Sequence, residues 1–371
     1  MGSERAVAVV GGGVIGLSVA WAVAEAGYPV RLVDPAPARG ASWLAGGMLA
    51  PVTESWPGEE HVLELGSSSL ARWPDFAARL TAAGGDPGLR LEGTLAVALD
   101  SADVGTLDVL AEFLRGLGRE AVRCSGRELR ALEPGIGPGV RSGLHVPGDL
   151  AVDNRALLTA LHTACRRSGV EFITATARAV HPNAVVLADE STVDCAAVVV
   201  TAGAWSGHLH PALAPLVRPV KGEILRLHTR PGTLPVPTRT IRAHVESRPV
   251  YLVPRLDGEL VLGATQLEVG FDESVTAGAV RDLLRDAERV LPGIAEYALV
   301  ETAAGLRSGS PDNLPLIGLL EPGLLVATGH HRNGLLLAPV TAGAVVSLLR
   351  EEELPAAVRA ADPARFLGRD A

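Results

Sequence analysis

The chain has 371 residues, more than one hydrophobic core usually serves, so two intimate domains are expected. Hydrophobic residues make up 47% and charged residues 20%, enough apolar surface for a large core, which excludes a disordered chain. A formal net charge of -9 argues against nucleic acid or an anionic membrane as the main partner.

The opening stretch MGSERAVAVV has no basic region leading to a cleavage site, so no secretory signal is expected, and Ala6 stands where a myristoylation motif needs Ser or Thr. Residues 6–24 carry no charge and are long enough for a membrane span, but Gly11, Gly12 and Gly13 interrupt them. The stretch reads instead as strand, glycine turn, helix and strand. Gly11-x-Gly13-x-x-Gly16 follows the apolar run at once, a helix extends to about Ala26, and Gly27 ends it. Gly11 permits the tight turn, Gly13 lets the backbone approach a pyrophosphate, and Gly16 lets helix pack on strand. The helix N-terminus then presents N–H groups and the positive end of its dipole to the phosphates. Asp34, roughly 20 residues on, suits a ribose hydroxyl. This motif fits NAD and the adenosine half of FAD alike.

Further along, Ser125 and Glu128 form a capping box that starts a helix. Residues 154–169 are amphipathic and stop at Gly169. Residues 170–180 and 195–206 read as strands, the second a continuous apolar run of the buried parallel kind. Residues 250–265 form a hairpin turning at Asp257-Gly258. Helices follow over 276–293 and 335–353, and a strand at 323–328 enters the loop GHHRNG. Nucleotide-type strands recur early, in the middle and late. The fold class is therefore α/β, with a Rossmann-like nucleotide domain assembled from separate segments. Cys124, Cys165 and Cys195 are odd in number and lack metal spacing, so reduced thiols in a cytoplasmic protein are expected. Lys221 is the only lysine among 33 basic residues, and an exposed strand-end position is expected for it.

Four stretches together resemble one family: the N-terminal glycine motif, GASWLAGGMLAP (40–51), AGLRSGSPDNLPLIG (304–318) and ATGHHRNGLLLAP (327–339). They are similar to the FAD-dependent D-amino-acid oxidase-like amine oxidases, and within that group to the glycine oxidases of thiamine biosynthesis. The resemblance covers nearly the whole chain in order, and it implies a Rossmann-like FAD-binding domain from 1–86, 146–226 and 301–371 with an inserted mixed-sheet α+β substrate domain from 87–145 and 227–300. It implies FAD bound along Gly11, Gly13, Val14, Ile15, Gly16, Asp34 and Pro35, with Ala41 and Ser42 along the phosphates. Gly46, Gly47 and Met48 then run beside the flavin, Val180 meets the adenine through its backbone, and His330, His331, Arg332, Asn333, Gly334, Leu335 and Leu336 wrap the pyrimidine edge. It implies that Arg307 and Arg332 hold a substrate carboxylate and that Tyr251 lines the pocket. His331 departs from the pattern, because relatives carry Tyr or Phe there. Covalent-flavin relatives attach the ring through a cysteine in the C-terminal half; all three cysteines here precede residue 200, so non-covalent FAD is expected.

The activity so implied is oxidation of glycine, or of sarcosine or a small D-amino acid, to an imine, with molecular oxygen as acceptor and hydrogen peroxide as product. Partners implied are the small amino-acid substrate, oxygen and a thiazole synthase; a homo-oligomer stays open, as do an NAD-dependent dehydrogenase and a flavin redox sensor. Adjacent His330 and His331 diverge and cannot share a metal as i,i+4 histidines on a helix do, so no metal is expected. No acid–base pair stands out, and no catalytic residue is assigned. Lys221 beside a flavin could activate oxygen, and Gln266 faces either the pocket or solvent.

Overall fold

The computed structural model describes residues 6–367. A six-stranded sheet runs in the order Leu316–Glu321, Leu324–Thr328, Ala197–Val200, Val7–Val10, Val30–Val33, Glu171–Ile173. All its pairs are parallel except the first, an antiparallel edge hairpin. Val7–Val10 and Ala197–Val200 are fully buried because helices cover one face and a small antiparallel sheet of Ala177–His181, Ala184–Leu187 and Thr192–Asp194 covers the other. The helix Val14–Glu25 packs between Asn154–Arg167 and Ala338–Leu349 and buries residues on nearly every side, which explains why it carries no charge before the exposed Glu25 at its end. No helix among the described residues is long and apolar enough to cross a membrane.

The second layer is an eight-stranded mixed sheet in the order Ala298–Gly309, Arg218–His228, Glu259–Gly263, Arg248–Pro254, Thr240–Val245, Thr94–Ala98, Ser142–Val146, Val122–Ser125. Only Thr240–Val245 and Thr94–Ala98 pair in parallel. Arg218–His228 and Ala298–Gly309 pair along their whole length, so the expected divisions at 226 and 301 fall inside two strands that belong to this sheet. The hairpin turns at Asp257-Gly258, with Gly258 at φ +92°, as its sequence requires.

Two expected strands are shorter than their apolar runs. Residues 170–180 divide after Ile173, where the partner strand ends at Val33, and the chain crosses to the small sheet. The run 195–206 pairs only to Val200, then bends into a 3-10 turn at Gly203–Trp205. Both breaks lie at the carboxyl ends of the parallel strands, where open α/β sheets bind ligands.

Candidate active site

One cavity of about 930 Å³ runs from the carboxyl ends of the parallel strands to the face of the eight-stranded sheet. At its first end stands the glycine turn. Gly11 has φ +109°, and a Cβ there would lie 2.5 Å from the Thr201 carbonyl oxygen. A Cβ on Gly16 would lie 1.7 Å from the Gly11 carbonyl oxygen, so the helix reaches the turn only with hydrogen at that point. Gly13 meets nothing closer than Ser42 Oγ at 3.2 Å and opens onto the cavity, as do Val14 and Ile15. Asp34 and Pro35 border the same space, and the Asp34 carboxylate accepts from the Gly12 and Ala36 amides, each at 2.6 Å. A bare backbone, a helix N-terminus and a carboxylate at its side fit a dinucleotide's pyrophosphate and ribose.

The wall continues through Ala41, Ser42, Gly46, Gly47 and Met48. Ser42 Oγ accepts from the Val14 amide at 3.0 Å and so joins this segment to the helix. Gly47 has φ +93°, and a Cβ there would stand 2.1 Å from the Val152 carbonyl oxygen. The segment is held from behind. Asn154 Nδ2 donates to the carbonyls of Ser42 (3.0 Å) and Trp43 (2.8 Å), and Arg255 Nη2 donates to Gly46 O (2.8 Å) and Asn154 Oδ1 (3.0 Å). Burial lowers the Arg255 guanidinium to about 10, which still leaves it charged near neutrality beside Asp153 at 3.7 Å. Neither support is marked by a motif in the sequence; the arginine closing the apolar run YLVPR is the available signal.

The expected contacts are not all on the wall. Val180 packs in the core, and Thr176, Ala177 and Arg178 border the cavity beside it. Gly16, Asn333 and Leu336 stand behind the lining, whereas His330, His331, Arg332, Gly334 and Leu335 form it. His330 is buried with Nε2 3.0 Å from Thr341 Oγ1, and burial lowers it to about 3. His331 sits at φ +47° and is lowered to about 3 by burial and by Arg332, Arg307 and Arg218. Both rings are therefore neutral near pH 7. Among the described residues no His, Cys, Asp and Glu cluster could hold a metal.

The opposite end carries charge. Arg332 Nη2 donates to Glu59 Oε2 at 2.6 Å and to the Glu54 carbonyl at 3.0 Å, so its charge is already matched. Arg242 pairs with Glu54 at 2.8 Å. Arg307 differs: its Nη1 donates to the Thr265 carbonyl at 3.2 Å, and among the described residues it forms no ion pair. Its guanidinium lies across Gly222, whose Cβ would come within 2.4 Å of it. Tyr251 stands beside it in a slot between Gly46 and Gly263, where added Cβ atoms would meet the ring at 2.7 and 2.4 Å. Burial raises the Tyr251 hydroxyl's pKa, and the charge of Arg307 partly offsets that. An unmatched, fork-shaped cation in a partly enclosed cavity suits a planar carboxylate. Glu54, Glu59, Arg242 and Thr265 were not singled out in the sequence, and no local pattern marks them, because only tertiary packing brings them here.

Gln266 lines the cavity. Lys221 does not, and the expectation of an exposed strand end is corrected: it is 1% exposed. Gly222 and Ile224 of its strand face the cavity, so the alternation turns Lys221 to the other side, which removes the oxygen-contact reading.

A family model described as FAD dependent oxidoreductase matches residues 6–348. The bifunctional protein ThiO/ThiG of Synechocystis sp. is 32% identical over 372 residues, covering 97% of this chain and 54% of that protein. The chain thus spans about half the length of the first curated relatives it matches. The glycine oxidase of Pseudomonas putida is 32% identical over 375 residues, covering 94% of this chain and 96% of that one. The crystal structure of glycine oxidase from Geobacillus kaustophilus superposes with a TM-score of 0.89 at 29% identity, covering 98% of this chain and 100% of that chain.

Proposed function

The chain belongs to the FAD-dependent oxidoreductase family, and from that premise we propose that it oxidises glycine to the imine, which hydrolyses to glyoxylate and ammonia. The family closes the NAD alternative, since its cofactor is FAD. The observation that carries the substrate is Arg307, an arginine that lines the cavity and, among the described residues, pairs with no acid, a guanidinium suited to a carboxylate. The names of the relatives support glycine as the amino acid.

Bound FAD supplies the two-electron acceptor for hydride from Cα. The chain's own residues bind and orient. Arg307 fixes the carboxylate, Tyr251 closes the pocket beside it, and Arg332, tied to Glu59, shapes the wall. Neutral His330 and His331 are poor bases, so the substrate amine sheds its own proton before its lone pair assists departure of the hydride. None of the three cysteines lines the cavity, which supports a non-covalent cofactor. We assign the six-stranded sheet to the cofactor half and the eight-stranded sheet to the substrate half. Oxygen as acceptor, hydrogen peroxide as product, transfer of the imine to a thiazole synthase and a cytoplasmic location complete the proposal; the fused relatives support the thiazole synthase.

The test is Arg307→Ala, assayed by initial rates with glycine, sarcosine, D-alanine and methylamine. Loss of one charged pair in a shielded pocket is worth about 2–5 kcal/mol, so kcat/KM for glycine falls by at least about thirtyfold. Methylamine, which lacks the carboxylate, is nearly indifferent. Equal losses for glycine and methylamine make Arg307 a structural residue and remove the assignment.

A further inference from the structure

A chain that meets nearly every need for a cation with arginine keeps lysine once, at Lys221, and buries it. A compact ammonium with three rotatable donors does there what a planar guanidinium cannot. Lys221 Nζ lies 2.6 Å from Asp272 Oδ2 and 3.9 Å from Glu223 Oε1, and Glu223 is as buried as Lys221. The neighbouring ammonium holds the Asp272 carboxyl well below the usual carboxylate range.

These two residues grip one segment, 264–276, along its length. The Lys221 and Leu267 backbones exchange hydrogen bonds of 2.9 and 3.0 Å. Glu223 accepts from the Thr276 amide at 2.7 Å and from Thr265 Oγ1 at 2.9 Å, while its own amide donates to Thr265 Oγ1 at 2.8 Å. Thr265 is thus fixed from the side away from the cavity. Its carbonyl, on the cavity side, receives Nη1 of Arg307.

We propose that Lys221 is a positioning residue for the substrate carboxylate: through Asp272 and Glu223 it clamps segment 264–276, and through the Thr265 carbonyl it aims the Arg307 guanidinium. The inference rests on the reading of Arg307 as the carboxylate clamp. Without the ammonium, the buried Glu223 carboxyl has no cation beside it, and Asp272 releases the segment. A guanidinium at the same point displaces Asp272 because its donors sit further from the strand.

The experiment uses FAD-loaded protein and glycolate, a carboxylate that cannot be deaminated, with binding read from the flavin absorbance. Lys221→Met, Asp272→Asn and the double variant are compared. Asp272 is about half-exposed on the outer segment, so Asp272→Asn folds even if Lys221→Met does not; equal flavin content and Tm verify this. Each single variant weakens glycolate by about tenfold, the double is no worse than the weaker single, and Lys221→Arg does not restore binding. With glycine the loss appears in KM, kcat staying within about threefold, and methylamine turnover is unchanged. Wild-type glycolate affinity in Asp272→Asn, or losses that add in the double variant, overturns the proposal. Arg307→Ala in the same assay separates the two readings: if it too leaves glycolate binding intact, the clamp itself fails, and if it abolishes binding while Asp272→Asn does not, only the role of Lys221 fails.

Discussion

Gly222→Ala separates the site from the fold. Gly222 lies in an extended strand paired with Gly305, a backbone that alanine adopts without strain. The three heavy atoms nearest the added Cβ all belong to the Arg307 guanidinium, Nη1, Nη2 and Cζ at 2.4, 2.5 and 2.6 Å. Comfortable carbon contacts begin near 3.5 Å, so the head of Arg307 retreats by about 1 Å. That retreat breaks its bond to Thr265 and moves the carboxylate, and a displacement of this size costs on the order of a hundredfold in rate. Stability moves the other way, because alanine restricts the unfolded chain and adds about 0.4–1 kcal/mol, so Tm is unchanged or slightly higher. The assay is kcat/KM for glycine and for methylamine together with thermal melting. A fall of about a hundredfold for glycine, with little change for methylamine and an intact Tm, is expected. A value for glycine within about twofold of wild type refutes the placement of Arg307 over Gly222.

Asp34→Ala weakens FAD retention by about ten- to a hundredfold, the worth of one charge-assisted bond, and leaves the preference among glycine, sarcosine and D-alanine as it was; unchanged FAD affinity in a folded variant removes Asp34 from the site. Turnover rises with pH as the substrate amine loses its proton, and His330→Ala and His331→Ala keep that rise, since both rings are lowered to about 3; a flat profile in either variant identifies that histidine as a base. The same depression affects acid stability. Between about 6.5 and 3 the unfolded chain binds protons that the folded rings refuse, so each histidine removes stability as pH falls, with a slope of up to about 1.4 kcal/mol per pH unit; His330→Asn flattens the loss in acid melts, and an unchanged slope counts against a neutral buried ring.

The cofactor end of the protein is written locally. Gly11, Gly13, Gly16 and Asp34 lie within one strand–turn–helix–strand unit, and each answers a requirement that its neighbours in sequence impose: a positive φ, a close approach, a carboxylate at a strand end. The capping box at Ser125 and the turn at Asp257-Gly258 are legible for the same reason. The resemblance of the later stretches added Arg307 and Tyr251, which the structure brings to one cavity. The state of each charged group was not legible. Arg307 and Arg332 look alike as arginines in glycine-rich stretches, yet Arg332 is matched by Glu59 and Arg307, among the described residues, by no acid. Lys221 reads as an exposed strand end and is instead buried against Asp272, 51 positions away. Glycine turns and caps depend on bonds between residues a few positions apart, whereas the charge balance of a guanidinium or an ammonium depends on which carboxylate arrives beside it, and that is settled only when distant strands and loops pack together.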